Sequence, residues 1–152
     1  MKAAPFLKAE REAIVEDAAS TLAGRHVRHY ETTDPAEVRQ RLETLFDHLL
    51  TAAESRDLTP IVAYAQQVAG DRFNAGFDLS EVQSAFNVLE EAAWRRVFGE
   101  CDPGDFAEIL GLVATILGAA KDALGRAYVS LATDAHAPSM DLKALFSGSE
   151  GT

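Results

Sequence analysis

The sequence contains one cysteine and one tryptophan among its 152 residues, and it has no long apolar run. Because Cys101 stands alone, an internal disulfide is excluded, which fits a reducing compartment. The longest apolar stretch, residues 109–120, is too short to cross a bilayer. Charged residues near the N-terminus interrupt any apolar segment of the kind found in signal peptides. We therefore expect a cytoplasmic protein with no membrane partner.

Basic residues are also scarce, since 14 Lys and Arg face 24 Asp and Glu and give a formal net charge of −10. Such a charge repels phosphate backbones, so we expect no nucleic-acid partner. The hydrophobic share of 47% is ordinary for a globular protein. We predict one helical domain over residues 1–137 and a flexible tail over residues 138–152, where Ser, Gly and Thr become frequent.

Catalytic signatures are missing as well. The chain has no Ser/Cys–His–Asp order, no glycine-rich phosphate loop and no zinc-ligand spacing. His26 and His29 share a helical face if one helix runs through both, but no carboxylate completes a metal site. We therefore predict no enzymatic activity, no metal and no cofactor.

Two other functions remain as alternatives. His48 lies in the middle of a predicted helix and is the candidate to accept a phosphoryl group, although Thr51 and Ala52 stand where phosphotransfer domains have lysine and glycine. A haem globin would need an axial ligand, which only His26, His29 or His48 offers in the helical region.

Periodicity and helix-boundary residues predict an all-α fold with five helices, over residues 5–30, 35–55, 59–76, 79–98 and 102–133. Asp34 precedes a proline and is placed to cap the second helix. Gly76 is suited to a left-handed turn at the end of the third. Asp78 and Glu81 have the spacing of a capping box at the start of the fourth.

The fourth helix has one apolar stripe, which we expect to face the core: Leu79, Val82, Phe86, Leu89, Ala93 and Val97. Two pairs, Glu37–Arg41 and Glu91–Arg95, have the i,i+4 spacing of surface ion pairs. We expect the guanidinium of Arg72 to satisfy the last carbonyls of the third helix.

The fifth helix carries three glycines at an interval of seven, with two small residues between them: Gly111, Ala114, Thr115, Gly118 and Gly125. Each glycine costs about 1 kcal/mol in a helix interior relative to alanine, so a close backbone approach is the expected reason. That approach is either a subunit interface or a tight crossing inside the monomer. We predict a homodimer formed through this ridge.

The segment Arg72-x-x-x-Gly76-Phe-x-Leu79-x-Glu81-Val82-x-x-Ala85-Phe86-x-x-Leu89-x-x-x-x-Trp94 resembles the N-terminal domain of RsbR/RsbRD-type stress regulators. The preceding Val38-x-x-x-Leu42-x-x-Leu45-x-x-x-Leu49 is also similar, and the resemblance covers residues 10–133. By that resemblance, six residues form a helix-corner-helix signature: Arg72, Gly76, Leu79, Phe86, Leu89 and Trp94. The resemblance assigns no catalytic role to any of them.

The resemblance implies a haem-less, globin-like bundle that dimerises. It also implies a signal relayed to a STAS domain, a kinase or a transcription regulator. No α/β segment that fits a STAS domain follows the fifth helix, so we expect either an input module standing alone or a portion of a longer protein. In that family the fifth helix would connect to the output domain.

Overall fold

The computed structural model of the chain describes residues 3–140. Over this range the chain forms seven α-helices and one short 3-10 helix, with no strand, which confirms the all-α, globin-like prediction. The helices are α1 (Ala3–Ala9), α2 (Arg11–Gly24), α3 (Arg28–Glu31), α4 (Pro35–Ser55), α5 (Thr59–Asn74), α6 (Leu79–Glu100) and α7 (Phe106–Met140). The 3-10 helix, Pro103–Asp105, leads into α7.

The prediction of a single helix over residues 5–30 is wrong, because three helices, α1, α2 and α3, occupy that region. At Glu10 the backbone departs only slightly from helix, and the bond from the Glu10 amide to the Phe6 carbonyl (3.0 Å) persists. The second break is sharper, since His26 has a φ of 53° in the left-handed region. That turn separates His26 from His29, so the two side chains do not share a helical face.

The other helix starts follow the predicted signals. Asp34 accepts a hydrogen bond from the Ala36 amide at 2.9 Å and caps α4. Gly76 has a φ of 85° and forms the corner between α5 and α6. The last helix differs from prediction, because it begins through the 3-10 turn and extends beyond Thr133 to Met140. It thus includes the first three residues of the predicted tail, and residues 141–152 lie outside the described range.

The core forms where α7 packs against α5 and α6, and where α2 packs against α6. The predicted apolar stripe of α6 is confirmed. Leu79 is partly buried, and the other five members are buried: Val82, Phe86, Leu89, Ala93 and Val97. Trp94, by contrast, is 42% exposed. This residue of the signature is therefore not part of the core.

Ion pairs join α6 to α2. Arg95 pairs with Asp17 (2.9 Å) and Glu91 pairs with Arg25 (2.6 Å). The predicted Glu91–Arg95 pair is therefore not a direct ion pair, although the charge of Glu91 helps to raise the pKa of Arg95. Both α6 side chains reach across to the neighbouring helix instead of along their own. The predicted Glu37–Arg41 pair is confirmed at 2.6 Å.

Within residues 3–140, none of the helices is both long and apolar enough to cross a membrane.

Candidate functional site

The corner between α5 and α6 centres on Glu81, the one buried charged residue in the described part of the chain, with 7% exposure. Its Oε1 accepts from the Asp78 amide at 2.9 Å, and the predicted capping box is present. Its Oε2 accepts from the His29 backbone amide at 3.0 Å and lies 2.6 Å from Nδ1 of the same histidine. Glu81 therefore joins α3 to the start of α6.

Burial acts to raise the pKa of Glu81, but the hydrogen bonds from Asp78 and His29 outweigh burial and hold the pKa below its ordinary value. The carboxylate is ionised at neutral pH and accepts three hydrogen bonds. Bonds of this kind are what a buried charge requires to be tolerated.

Phe77 connects this corner to four other side chains. Its ring stacks on His29 with a centroid distance of 4.6 Å and meets the edge of Tyr30 at 5.3 Å. The Arg72 guanidinium lies 5.9 Å from the same ring centroid. The carbonyl of Phe77 accepts from the Tyr128 hydroxyl at 3.1 Å. One residue of the corner thus contacts α3, α5 and α7.

The predicted role of Arg72 is wrong, because the backbone itself closes the end of α5. The Phe77 amide donates to the Arg72 carbonyl at 2.9 Å, and the Gly76 amide donates to the Phe73 carbonyl at 3.1 Å. These bonds satisfy the last carbonyls, and the Arg72 side chain is left to lie over Phe77.

Tyr128 is the contribution of α7 to the corner. Burial, reinforced by the neighbouring Tyr30, raises the pKa of Tyr128 to about 12. Its ring also meets the edge of Phe73 at 5.8 Å. The hydroxyl is therefore a fixed neutral donor over the whole physiological pH range.

A cavity of about 330 Å³ opens beside the corner, between the end of α2, α3 and the start of α4. Its walls are mostly apolar: Ala19, Leu22, Ala23, Val27, Tyr30, Glu31, Thr33, Pro35 and Val38. A smaller space of about 20 Å³ shares Leu22, Tyr30 and Val38 with it and reaches Arg41, Tyr64 and Arg72. Sequence reasoning missed this cavity, since its only local sign is the pair of alanines Ala19 and Ala23 on one face of α2.

His26 and His48 make their contacts away from Glu81 and Phe77. His26 is exposed, with its Nδ1 3.9 Å from Glu31. His48, the residue of the phosphotransfer alternative, stacks on Tyr64 with a centroid distance of 4.3 Å. Among the described residues, no group of three His, Cys, Asp or Glu side chains is placed to hold a metal.

The glycine ridge faces open space. A Cβ added at Gly111, Gly118 or Gly125 would meet no atom within 4 Å. The alternative of a tight crossing inside the monomer is therefore wrong. Thr115 is exposed and Ala114 is partly buried, so this stretch of α7 has little bulk at the surface.

Two exposed aromatic residues lie on α6, which packs along the helix that carries the ridge. Trp94 is 42% exposed and Phe98 is 55% exposed, one turn apart. Lys121 bonds Glu90 at 2.6 Å, and Phe98 meets Phe106 at 5.0 Å, so α6 and α7 run antiparallel. We call Trp94, Phe98 and the ridge residues together the α6–α7 face.

A family model described as the RsbT co-antagonist protein rsbRD N-terminal domain matches residues 11–139. Comparison with curated proteins and with solved structures gives no match. The matched range contains the corner, the cavity and the α6–α7 face. The chain therefore belongs to this family of sensory domains of stress-response regulators.

Proposed function

We propose that the protein is a non-catalytic regulatory module that works as a homodimer and passes a signal by conformational change. The observation that carries this proposal is the α6–α7 face. Large aromatic side chains exposed beside a surface of little bulk are typical of protein interfaces. A two-fold dimer would bury the same face on both copies.

The glycines give this face its geometry. Small residues let the backbones of two helices approach closely, and the open space at Gly111, Gly118 and Gly125 leaves room for a second copy of α7. Trp94 and Phe98 would then supply apolar area at the rim of the helix crossing.

The corner supplies a route from the cavity side of the molecule to α7. Tyr30 contacts Phe77, and the Phe77 carbonyl is bonded to Tyr128 on α7. A displacement of Tyr30 would change this bond and with it the position of α7 in the dimer. A signal would act by favouring one of two positions of α7 that differ in their contacts.

α7 has 35 residues, whereas α6 has 22. At a rise of 1.5 Å per residue α7 is about 52 Å long, so its C-terminal part extends well past the helix it packs against. This part is the proposed route to an output partner such as a STAS domain, a kinase or a transcription regulator. Val129, 63% exposed, lies beside Leu79 at the start of α6, where this part begins.

The solution mass tests the dimer. We expect the wild type to have twice the chain mass of 16.4 kDa by light scattering after gel filtration, and Gly118→Leu to be monomeric. Gly70→Leu is the matched control. Gly70 is also a helical glycine at which an added Cβ would meet no atom within 4 Å, but it lies on α5. A monomeric wild type, or a Gly118→Leu variant that dimerises equally well, refutes the proposal.

The alternatives predict different results from the same preparations. A haem sensor would show a Soret band after purification with haem, and that band would be lost in a variant of His26, His29 or His48. A phosphotransfer protein would carry an acid-labile label that is lost in His48→Ala.

A further inference from the structure

We infer that the cavity beside α3 is a binding site for an organic monoanion, a carboxylate carried on an apolar body. The volume of about 330 Å³ falls at the small end of the range for ligand sites. Its apolar walls on α2 and α4 suit a hydrocarbon or aromatic group, and it opens to solvent, so a molecule can enter.

The smaller space that shares three lining residues with the cavity, here called the inner space, is positively charged. Arg41 and Arg72 both line the small inner space, together with the hydroxyl-bearing side chains Tyr30 and Tyr64. Arg41 has one ion pair, through Nη2, with Glu37. Among residues 3–135, Arg72 has no carboxylate within salt-bridge distance. Two guanidinium groups therefore line this space, and only that of Arg41 is in an ion pair, with Glu37.

One donor at this inner end has no acceptor. The Nη1 atom of Arg41 is buried and makes no hydrogen bond to any residue in the described range. A buried charged donor without an acceptor is costly, and a carboxylate is the acceptor whose two oxygens match a guanidinium best. Binding an anion here would remove that cost.

Charge favours an anion over a water molecule at this position. The inner space of about 20 Å³ can hold one water. However, a neutral water adds no negative charge beside the two guanidinium groups, whereas a carboxylate offsets part of their positive charge. At the outer end Glu31 lines the cavity and would repel a second negative charge, so a monoanion fits better than a dianion.

This inference goes beyond the proposed dimer and does not depend on it, because every residue that lines the cavity belongs to α2, α4, α5, α6 or the α3 region of one chain. Tyr30 belongs both to the cavity wall and to the contact with Phe77. An occupant would therefore touch the corner directly.

The test compares acids with their uncharged analogues on the wild-type protein. Phenylacetate and hexanoate, each beside its primary amide, are titrated by calorimetry and by ligand-observed NMR. We expect both acids to bind saturably with dissociation constants of about 1 mM or tighter. We expect the amides to bind roughly tenfold more weakly or worse, because they lose the charge-assisted bonds.

Variants then locate the site. Arg41→Gln should weaken binding of both acids about tenfold or more. Arg39→Gln is the matched control and should leave binding unchanged, since Arg39 lies on the same helix with similar side-chain exposure (32% against 26%) but outside the cavity. Ala23→Phe should fill the apolar part of the cavity and so weaken binding of both acids.

The inference is overturned if neither acid binds, if the amides bind as tightly as the acids, or if Arg41→Gln binds like the wild type. The comparison of acid and amide needs no variant, so it decides the question even if Arg41→Gln fails to fold. If the acids do not bind, the proposed dimer still stands or falls by the solution mass. If the wild type is monomeric, the proposed binding site still stands or falls by the titrations.

Discussion

Glu81 accepts hydrogen bonds from both the backbone amide and, at 2.6 Å, the imidazole of His29, a residue 52 positions earlier in the chain. The same carboxylate caps its own helix through the Asp78 amide. A local helix start and a long-range tertiary contact thus depend on one side chain.

Replacing Glu81 by Gln should destabilise the protein by about 1–3 kcal/mol, because the amide retains one acceptor oxygen but places an NH₂ group against a donor. The free energy of unfolding from urea titrations at neutral pH measures the effect. Glu54→Gln is the control, since Glu54 is exposed near the end of α4. Its change should stay within about 0.5 kcal/mol. Equal effects at the two positions would contradict the role assigned to Glu81.

The contribution of Glu81 should also depend on pH. Its pKa is lowered in the folded protein, so its ionisation stabilises the fold fully above the unfolded pKa of about 4.5 and ceases to do so as pH falls through the lower folded value. The difference in unfolding free energy between wild type and Glu81→Gln should therefore shrink as pH falls from about 5 to 3. A difference that grows over this window would show the opposite shift in pKa.

Gly76→Ala should destabilise the protein by about 1–2 kcal/mol, because its φ of 85° is unfavourable for any residue with a Cβ. The cost is conformational, since the added Cβ would lie 3.9 Å from Nε2 of His29, an ordinary contact. Gly70→Ala is the matched control within α5, where alanine should stabilise the helix by up to about 1 kcal/mol. Thermal or urea unfolding of both variants should show opposite signs, and equal signs would contradict the corner geometry.

The tyrosines should resist ionisation in the folded state. The chain has three, and burial raises the pKa of Tyr30, Tyr64 and Tyr128, the last to about 12. Near-ultraviolet absorbance should show little tyrosinate at pH 10 in buffer and about half ionisation at that pH in urea. Because these folded pKa values are raised, the associated stability is present below pH 10 and is lost as pH rises towards 12. Any tyrosine that titrates near 10 in the folded protein would contradict its described burial.

The helix starts were predictable because their causes lie within a few residues of one another. Asp34 caps the helix that Pro35 begins, and the Asp78–Glu81 spacing fixes the start of α6. Gly76 is the residue type that a left-handed turn favours. In each case the physical reason is local, so a single sequence contains it.

The division of the first predicted helix was not predictable in this way. Nothing between Gly24 and Arg28 resembles the proline and cap signals used elsewhere, and His26 adopts a conformation that most residues avoid. The contacts that hold this region, Arg25 with Glu91 and His29 with Glu81, join residues more than fifty positions apart. The cavity is likewise a space between helices, which periodicity along one helix does not reveal.

Trp94 is the single tryptophan of the chain and is 42% exposed on α6. Its indole is therefore the only strong intrinsic fluorophore, and its emission reports on water at one surface alone. Any molecule that covers this surface should shift the emission to shorter wavelength without an attached label. Dilution of the protein should reverse that shift if the covering molecule is a second copy, and a spectrum independent of concentration would show that no such exchange takes place.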